Sequence, residues 1–199
     1  MSKIYSWGRM ATGKIAYTFA KAVNSVPDAR LYACASRTAA KAEEFARKTG
    51  AQKVYSSYEQ LARDPEVDIV YIASPMSCHY ENARLCLENG KNVLCEKSIT
   101  LNSGELEKLV SLAKQKGLFF MEAMWMKCLP AFLKAREWVE AGLIGDIRAI
   151  RADFSCPNRY NLSDRLFDAK LGGGALLDLG VYPITFITAF LGYEPDSIS

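Results

Sequence analysis

Histidine is nearly absent from this chain: His79 is the single one among 199 residues. A Cys/His zinc centre draws on more than that, which argues against a metal site of this kind. The six cysteines (Cys34, Cys78, Cys86, Cys95, Cys128 and Cys156) form no C-x-x-C pair. Several lie inside apolar runs, as free thiols do in cytoplasmic proteins. An excess of one charge is also missing: 25 Lys+Arg against 22 Asp+Glu leave +3. No basic run with interleaved aromatics occurs, which argues against a nucleic-acid partner. The amino terminus, Met1 to Ser6, lacks the apolar core of a signal peptide. Internal repeats and low-complexity segments are absent too. One long apolar stretch exists, from Gly174 to Tyr193. It carries Asp178, Gly180 and Pro183, so a buried helix is expected there rather than a membrane span.

What is present is the composition of a globular protein, 50% hydrophobic and 24% charged. The length allows one large domain, or one complete domain and part of another. The strongest local signal is Val93-Leu94-Cys95-Glu96-Lys97-Ser98, a short apolar strand that delivers Glu-Lys into a loop. Strands apolar on both faces belong in covered parallel sheets, whose ligands sit at the strands' carboxyl ends. The rest of the first half alternates to match. Strands are expected at Lys3–Ala11, Leu31–Ala35, Val54–Tyr55, Val67–Ala73, Val93–Cys95 and Leu118–Met124. Helices are expected at Ile15–Val23, Thr38–Lys48, Ser57–Arg63, Ser77–Asn89 and from Asn102, capped with Glu105, to Gly117. This β-α-β order predicts an α/β fold with a doubly wound parallel sheet, a Rossmann domain over residues 1–122. Residues 123–199 form a second region. It has a helix at Pro130–Ala141, an alternating strand at Ile147–Phe154 suited to an antiparallel sheet, a polar loop from Ser155 to Gly172, and a helix from about Gly174 to Leu191.

The turn Ala11-Thr12-Gly13-Lys14-Ile15-Ala16 fits G-x-G-x-x-G/A at its second and third positions. Gly13 lets the backbone approach a pyrophosphate, and the amino terminus of the next helix offers N–H groups to it. Gly8 to Ile15 also matches a P-loop except at its last position. Ile15 has no hydroxyl for Mg²⁺ and no strand ends in a Walker-B Asp, so a P-loop nucleotide binder is only a remote alternative. An NAD enzyme would place an acid at the end of the second strand. Ser36-Arg37 stand there instead, and Arg37 can pair with a 2′-phosphate, which favours NADP over NAD. Ser74, Pro75 and His79 should line the crevice beside the nicotinamide half, with His79 hydrogen-bonding locally.

Trp7-Gly8, Ala35-Ser36-Arg37, Ser74-Pro75 with His79, Gly90 to Lys97 and Gly172 to Tyr182 together resemble the Gfo/Idh/MocA oxidoreductases. Met121 to Trp125 and the Asp178/Tyr182 pair look closest to the dihydrodiol and NADP-xylose dehydrogenase branch. The resemblance implies a Rossmann domain and the start of a carboxy-terminal α/β domain with an open, mostly antiparallel sheet. Family members are longer, so most of that sheet would lie outside this chain. It further implies hydride transfer between a nicotinamide cofactor and a secondary alcohol of a sugar or diol, and a homo-oligomer formed through the sheet. Lys97, Tyr182 and Asp178 would be catalytic. Thr12, Gly13, Lys14, Ile15, Ser36, Arg37, Ser74, Pro75, His79, Glu96 and Lys97 would hold the cofactor. Asn158, Arg159 and Tyr160 are candidates to touch a polyol. A non-catalytic NADP-binding regulator and an inactive fragment remain the alternatives.

Four residues depart from the family's pattern. Ala11 replaces a glycine and suits a turn without positive φ. Arg9, in place of an aliphatic residue, needs solvent or an anion. Ser98, in place of proline, should free the Lys97 loop. Met76, in place of asparagine, offers no amide.

Overall fold

The structure is a computed structural model describing residues 3–162 and 164–198. The chain divides into two compact units, 1–123 and 124–199.

In the first unit six strands form one sheet: β1 (Tyr5–Met10), β2 (Ala29–Ala35), β3 (Lys53–Tyr55), β4 (Ile69–Ile72), β5 (Asn92–Cys95) and β6 (Phe120–Glu122). Their order is β3-β2-β1-β4-β5-β6, and every pairing is parallel. Between them run α1 (Lys14–Asn24), α2 (Ala39–Thr49), α3 (Tyr58–Arg63), α4 (His79–Glu88) and α5 (Ser103–Lys116). All six expected strands are present, with ends within two residues of the expected ones. The order reverses beside β1, so β1 and β4 flank the switch point of a Rossmann sheet.

The apolar residues explain this winding. Side chains alternate across a strand, so each covered strand feeds two cores. One core joins Met10, Val70, Ile72, Val93 and Cys95 to Leu87 and Leu109 of α4 and α5. The other joins Leu31 and Cys34 to Ala16, Ala20 and Val23 of α1 and to Ala42 and Phe45 of α2. All four residues of β4 are buried, as a central strand requires. Gly8 serves close packing: a Cβ there would stand 2.8 Å from Val67 Cγ1. Asn102 caps α5 as its spacing with Glu105 predicts. Its Oδ1 accepts from the Glu105 N–H at 3.0 Å, and the Glu105 carboxylate accepts from Leu101 N–H at 3.2 Å. The Lys91 ammonium is buried and donates to the carbonyls of Asp64 and of Val67, the latter at 2.9 Å, tying the start of β5 to the approach to β4. Burial pushes its pKa down.

Two expectations for the second unit need correcting. Residues 147–154 are not a strand; the described residues of 124–199 contain no strand at all. An extended segment leaves its N–H and C=O groups unpaired until a neighbouring strand arrives, and none is there. The apolar helix is present where expected, with a π-turn at Leu176–Gly180 that runs on without a break into α7 (Val181–Leu191). It is not buried. Phe186 and Phe190 pack on Phe132 of α6 (Pro130–Glu140), but Ile184 and Leu191 are exposed and only Tyr182 is buried. One neighbouring helix cannot cover an element that is apolar all round. By length and composition alone, Ala169–Leu191 could cross a membrane.

Candidate functional site

Parallel pairing places the carboxyl ends of β1, β2, β4 and β5 on one edge of the sheet. Most of the expected cofactor residues of the first unit therefore gather there: Thr12 to Ile15 after β1, Ser36-Arg37 after β2, Ser74-Pro75 after β4 and Glu96-Lys97 after β5.

The turn after β1 has the form a phosphate needs. Gly13 is the N-cap of α1, and a Cβ built on it would meet nothing within 4 Å. No side chain caps α1, and its first turn holds no acid. Its N–H groups and positive dipole end are thus available to an anion, and Lys14 stands exposed beside them. The P-loop alternative loses its geometry here, since Gly8, Arg9 and Met10 are hydrogen-bonded residues of β1 rather than loop.

Two departures, Ala11 in this turn and Arg9 in the strand before it, behave differently from expectation. Ala11 has φ of 68°, so the turn does use the left-handed region and carries an unfavourable residue in it. Its N–H donates to Ala35 O at 3.0 Å, which holds the turn against the end of β2. Arg9 reaches neither solvent nor an anion. It is fully buried, and none of its three guanidinium nitrogens has a hydrogen-bond partner among the described residues. The Phe45 ring, 4.4 Å from the guanidinium carbon, offsets part of this. Desolvation holds its pKa down at about 10, below the ordinary guanidinium value.

After β2, Ser36 is buried with its N–H on Tyr55 O at 3.2 Å, whereas Arg37 is exposed. Among the described residues no carboxylate lies within ion-pair reach of Arg37.

After β4, Ser74 is buried and Met76 opens a 3₁₀ turn, Met76–Cys78, with its side chain in the core. His79 follows at the start of α4. It is 1% exposed, and both ring nitrogens face main-chain carbonyls: Nδ1 lies 2.8 Å from Ser98 O and Nε2 2.9 Å from Ser74 O. Burial pushes its pKa down. No ring nitrogen is left for a cofactor, so its expected place among the cofactor ligands becomes an indirect one.

After β5, Glu96 N–H continues the ladder to Ile72 O at 2.9 Å. The Glu96 carboxylate accepts from the Tyr71 hydroxyl. Burial, and then the Glu96 charge, push the Tyr71 phenol well up, so it keeps its proton and donates. Lys97 is half-buried, and the Lys97–Ser98 peptide is cis. Ser98 is buried with its carbonyl at His79, and Ile99 N–H donates to the Glu122 carboxylate at 2.9 Å. The loop expected to be free is therefore tied on both sides of Lys97.

In the second unit Tyr182 lies at the start of α7, buried among aromatic rings. Its hydroxyl accepts from Trp125 Nε1–H at 2.9 Å, and its ring centroid lies 5.5 Å from Trp125 and 4.9 Å from Phe154. Asp178 sits in the π-turn, 3.6 Å from Arg165 Nη1. The π-turn widens the path between Asp178 and Tyr182, so the shared helical face expected from their spacing of four is altered. A cleft of about 350 Å³ is lined by Arg151, Asp153, Phe154, Tyr182 and Phe186. Asn158, Arg159 and Tyr160 are all exposed. Sequence reasoning missed Trp125 and Phe154 as neighbours of Tyr182, and Tyr71 as the partner of Glu96. Tyr71 had a local signal, being a hydroxyl inside an otherwise aliphatic central strand. Among the described residues no group of His, Cys, Asp or Glu is placed to hold a metal.

The parallel sheet with this strand order, and the glycine turn feeding α1 at its switch point, define the class of dinucleotide-binding Rossmann proteins. Residues 10–124 match the oxidoreductase family with an NAD-binding Rossmann fold, GFO_IDH_MocA, and residues 132–199 match the GFO/IDH/MocA C-terminal domain. The chain belongs to the Gfo/Idh/MocA oxidoreductase family. It is 39% identical over 196 residues to a trans-1,2-dihydrobenzene-1,2-diol dehydrogenase of Xenopus laevis, covering 97% of this chain and 59% of that one. It is 44% identical over 201 residues to a D-xylose 1-dehydrogenase (NADP(+)) of Hypocrea jecorina, covering 91% of this chain and 51% of that enzyme. A 3-ketoreductase from Actinomadura kijaniata, solved with NADP and TDP-benzene, superposes with a TM-score of 0.88 at 33% identity. That match covers 94% of this chain and 57% of the ketoreductase. The chain thus spans little more than half the length of these relatives.

Proposed function

We propose that this chain is the dinucleotide-binding domain (residues 1–122) and the first part of the substrate domain (123–199) of an NADP-dependent dehydrogenase. Its substrate is a secondary alcohol of a sugar or diol. The names of the dihydrodiol and xylose dehydrogenases support that substrate class. In the same reading the protein is cytoplasmic, consistent with six free cysteines, and pairs with a second copy.

When bound, the nicotinamide accepts or returns the hydride. The chain's residues do the rest. Gly13 and the first N–H groups of α1 hold the pyrophosphate, with Thr12, Lys14 and Ile15 shaping the turn. Ser36 and Arg37 take the 2′-phosphate, and Ser74 and Pro75 form the wall beside the nicotinamide half. Lys97 accepts the alcohol's proton on Nζ. Glu96, fixed by Tyr71, sets where the Lys97 backbone begins. Tyr182 shares the proton work, its hydroxyl oriented by the Trp125 indole N–H. Asp178 orients the substrate hydroxyl.

One observation carries the cofactor choice: an exposed Arg37 stands directly after β2, where an acid would otherwise meet the ribose. A charged hydrogen bond to phosphate contributes about 1.5–3 kcal/mol. Arg37→Ala should therefore weaken NADPH binding about 10- to 100-fold and leave NADH within about threefold. Isothermal titration with both nucleotides measures this. Equal losses for the two would remove Arg37 from the phosphate site and with it the preference for NADP.

A further inference from the structure

His79 makes two contacts of one kind. Both of its ring nitrogens lie within hydrogen-bond distance of buried carbonyl oxygens, and those oxygens come from loops 24 residues apart, Ser74 after β4 and Ser98 after β5. A residue that merely filled space at the start of α4 would need neither contact. The two carbonyls are not equivalent. Ser74 is already fastened to α4 by a second bond, because Asn82, on the next turn of that helix, donates from Nδ2 to Ser74 Oγ at 2.8 Å. Ser74 is thus the fixed end. The other end, Ser98, adjoins Lys97 directly. On its other side Lys97 follows Glu96, which is held by Ile72 O and Tyr71.

We infer that His79 is a positioning residue for Lys97: it clamps the Ser98 carbonyl to the α4–Ser74 anchor and so fixes where the Lys97 side chain starts. The inference rests on the proposed role of Lys97 for its functional meaning, although the clamp itself is independent of that role. A neutral imidazole donates from one nitrogen and an imidazolium from both. Burial disfavours the cation here, whereas the Ser98 and Ser74 carbonyls and the Glu122 charge favour it and the Lys97 charge disfavours it. The clamp on Ser98 requires the Nδ1–H as donor, and Ser74 has a second tie of its own through Asn82. His79 does the service that a proline ring at position 98 would otherwise do, and it does so from another element of the fold.

The geometry gives a discriminating pair of variants. The side-chain amide nitrogen of asparagine occupies the place of Nδ1, and that of glutamine the place of Nε2. His79→Asn can therefore keep the bond to Ser98, and His79→Gln the bond to Ser74. Amide hydrogen exchange of the 199-residue chain reads the result at Ile99 and Leu101, just past the clamp, with Val70 to Ile72 of β4 as internal reference. His79→Gln and His79→Leu should speed exchange at Ile99 and Leu101 about tenfold or more, and His79→Asn by no more than about threefold. All three should leave β4 unchanged. Equal exchange in the Asn and Gln variants, or no acceleration with Leu, would overturn the clamp. Acceleration throughout the sheet in all three would make His79 a packing residue and overturn it as well. Failure of the Lys97 reading would look different: loss of the lysine would leave turnover intact while the exchange pattern of the His79 variants persisted.

Discussion

Arg9→Met raises the stability of the chain, by about 2 kcal/mol, and lifts the melting temperature by roughly 4–8 °C. Most substitutions of a fully buried residue do the opposite. The argument starts from the guanidinium, which is 0% exposed with three nitrogens unpartnered among the described residues. A folded-state pKa lowered to about 10 corresponds to about 3 kcal/mol by which folding disfavours the charged form. The Phe45 ring returns about 1 kcal/mol of that, and methionine loses this contact. Methionine keeps an unbranched stem in the same slot, so no large cavity follows. The pH dependence has a definite sign. Below about pH 10 both the folded and unfolded chains hold the Arg9 proton, and the full penalty is present. Above about pH 10 the folded chain releases it while the unfolded chain still keeps it, so wild-type stability gains with rising pH and the advantage of Arg9→Met shrinks. Urea unfolding at pH 7 and pH 10.5 measures both effects. A variant less stable than wild type at pH 7 would mean that Arg9 has a partner that offsets its burial.

Lys97→Met has the largest expected effect on chemistry. In a chain extended to the length of its relatives, kcat for alcohol oxidation should fall by about 10²–10⁴, the usual contribution of a positioned general base or acid. The Kd for NADPH should stay within about threefold, because phosphates are held by Gly13, α1 and Arg37 rather than by Lys97. The reason to expect a kcat effect is the surroundings of Lys97. Glu96 before it and Ser98 after it are both anchored to buried groups, so the side chain leaves from a fixed point. Preorganisation of this kind matters for a reacting group and has no use for a solvated loop lysine. Stopped-flow NADPH formation with xylose and with a cyclic diol separates the two parameters. Unchanged kcat would move the proton transfer to another group.

The parts of the fold that were legible in the sequence are those fixed by local patterns. Unbroken apolar runs such as Ile69–Ile72 marked the central strands, and Asn102 with Glu105 marked the start of α5. The glycine turn, Arg37 and Lys97 fell at the strand ends that a parallel sheet brings to one edge. What was not legible depends on partners distant in sequence or outside the chain. Ile147–Phe154 has the alternation of a strand but no neighbour to pair with. The helix expected to be buried has α6 against Phe186 and Phe190, and among the described residues Ile184 and Leu191 stay exposed. Asp178 and Tyr182 have helical spacing, but the π-turn between them follows from local packing that spacing does not encode. Arg9 was expected to find solvent or an anion, yet only the packing of α1 and α2 over β1 decides that it does not. Ser98 looked like a loosening change because its compensation, His79, lies 19 residues earlier and reaches it through the fold.

The claim on which the rest depends is that the edge formed by Thr12–Ile15, Ser36-Arg37 and Glu96-Lys97 accepts NADP. Its most direct test is a titration of NADPH and NADH into the 199-residue chain, followed by fluorescence of its three tryptophans. Saturable NADPH binding, about tenfold or more tighter than NADH and weakening as salt is raised, is the predicted result. A chain that melts cooperatively yet binds neither nucleotide would contradict it, and would mean that the turn strained at Ala11 above a buried Arg9 does not receive a dinucleotide.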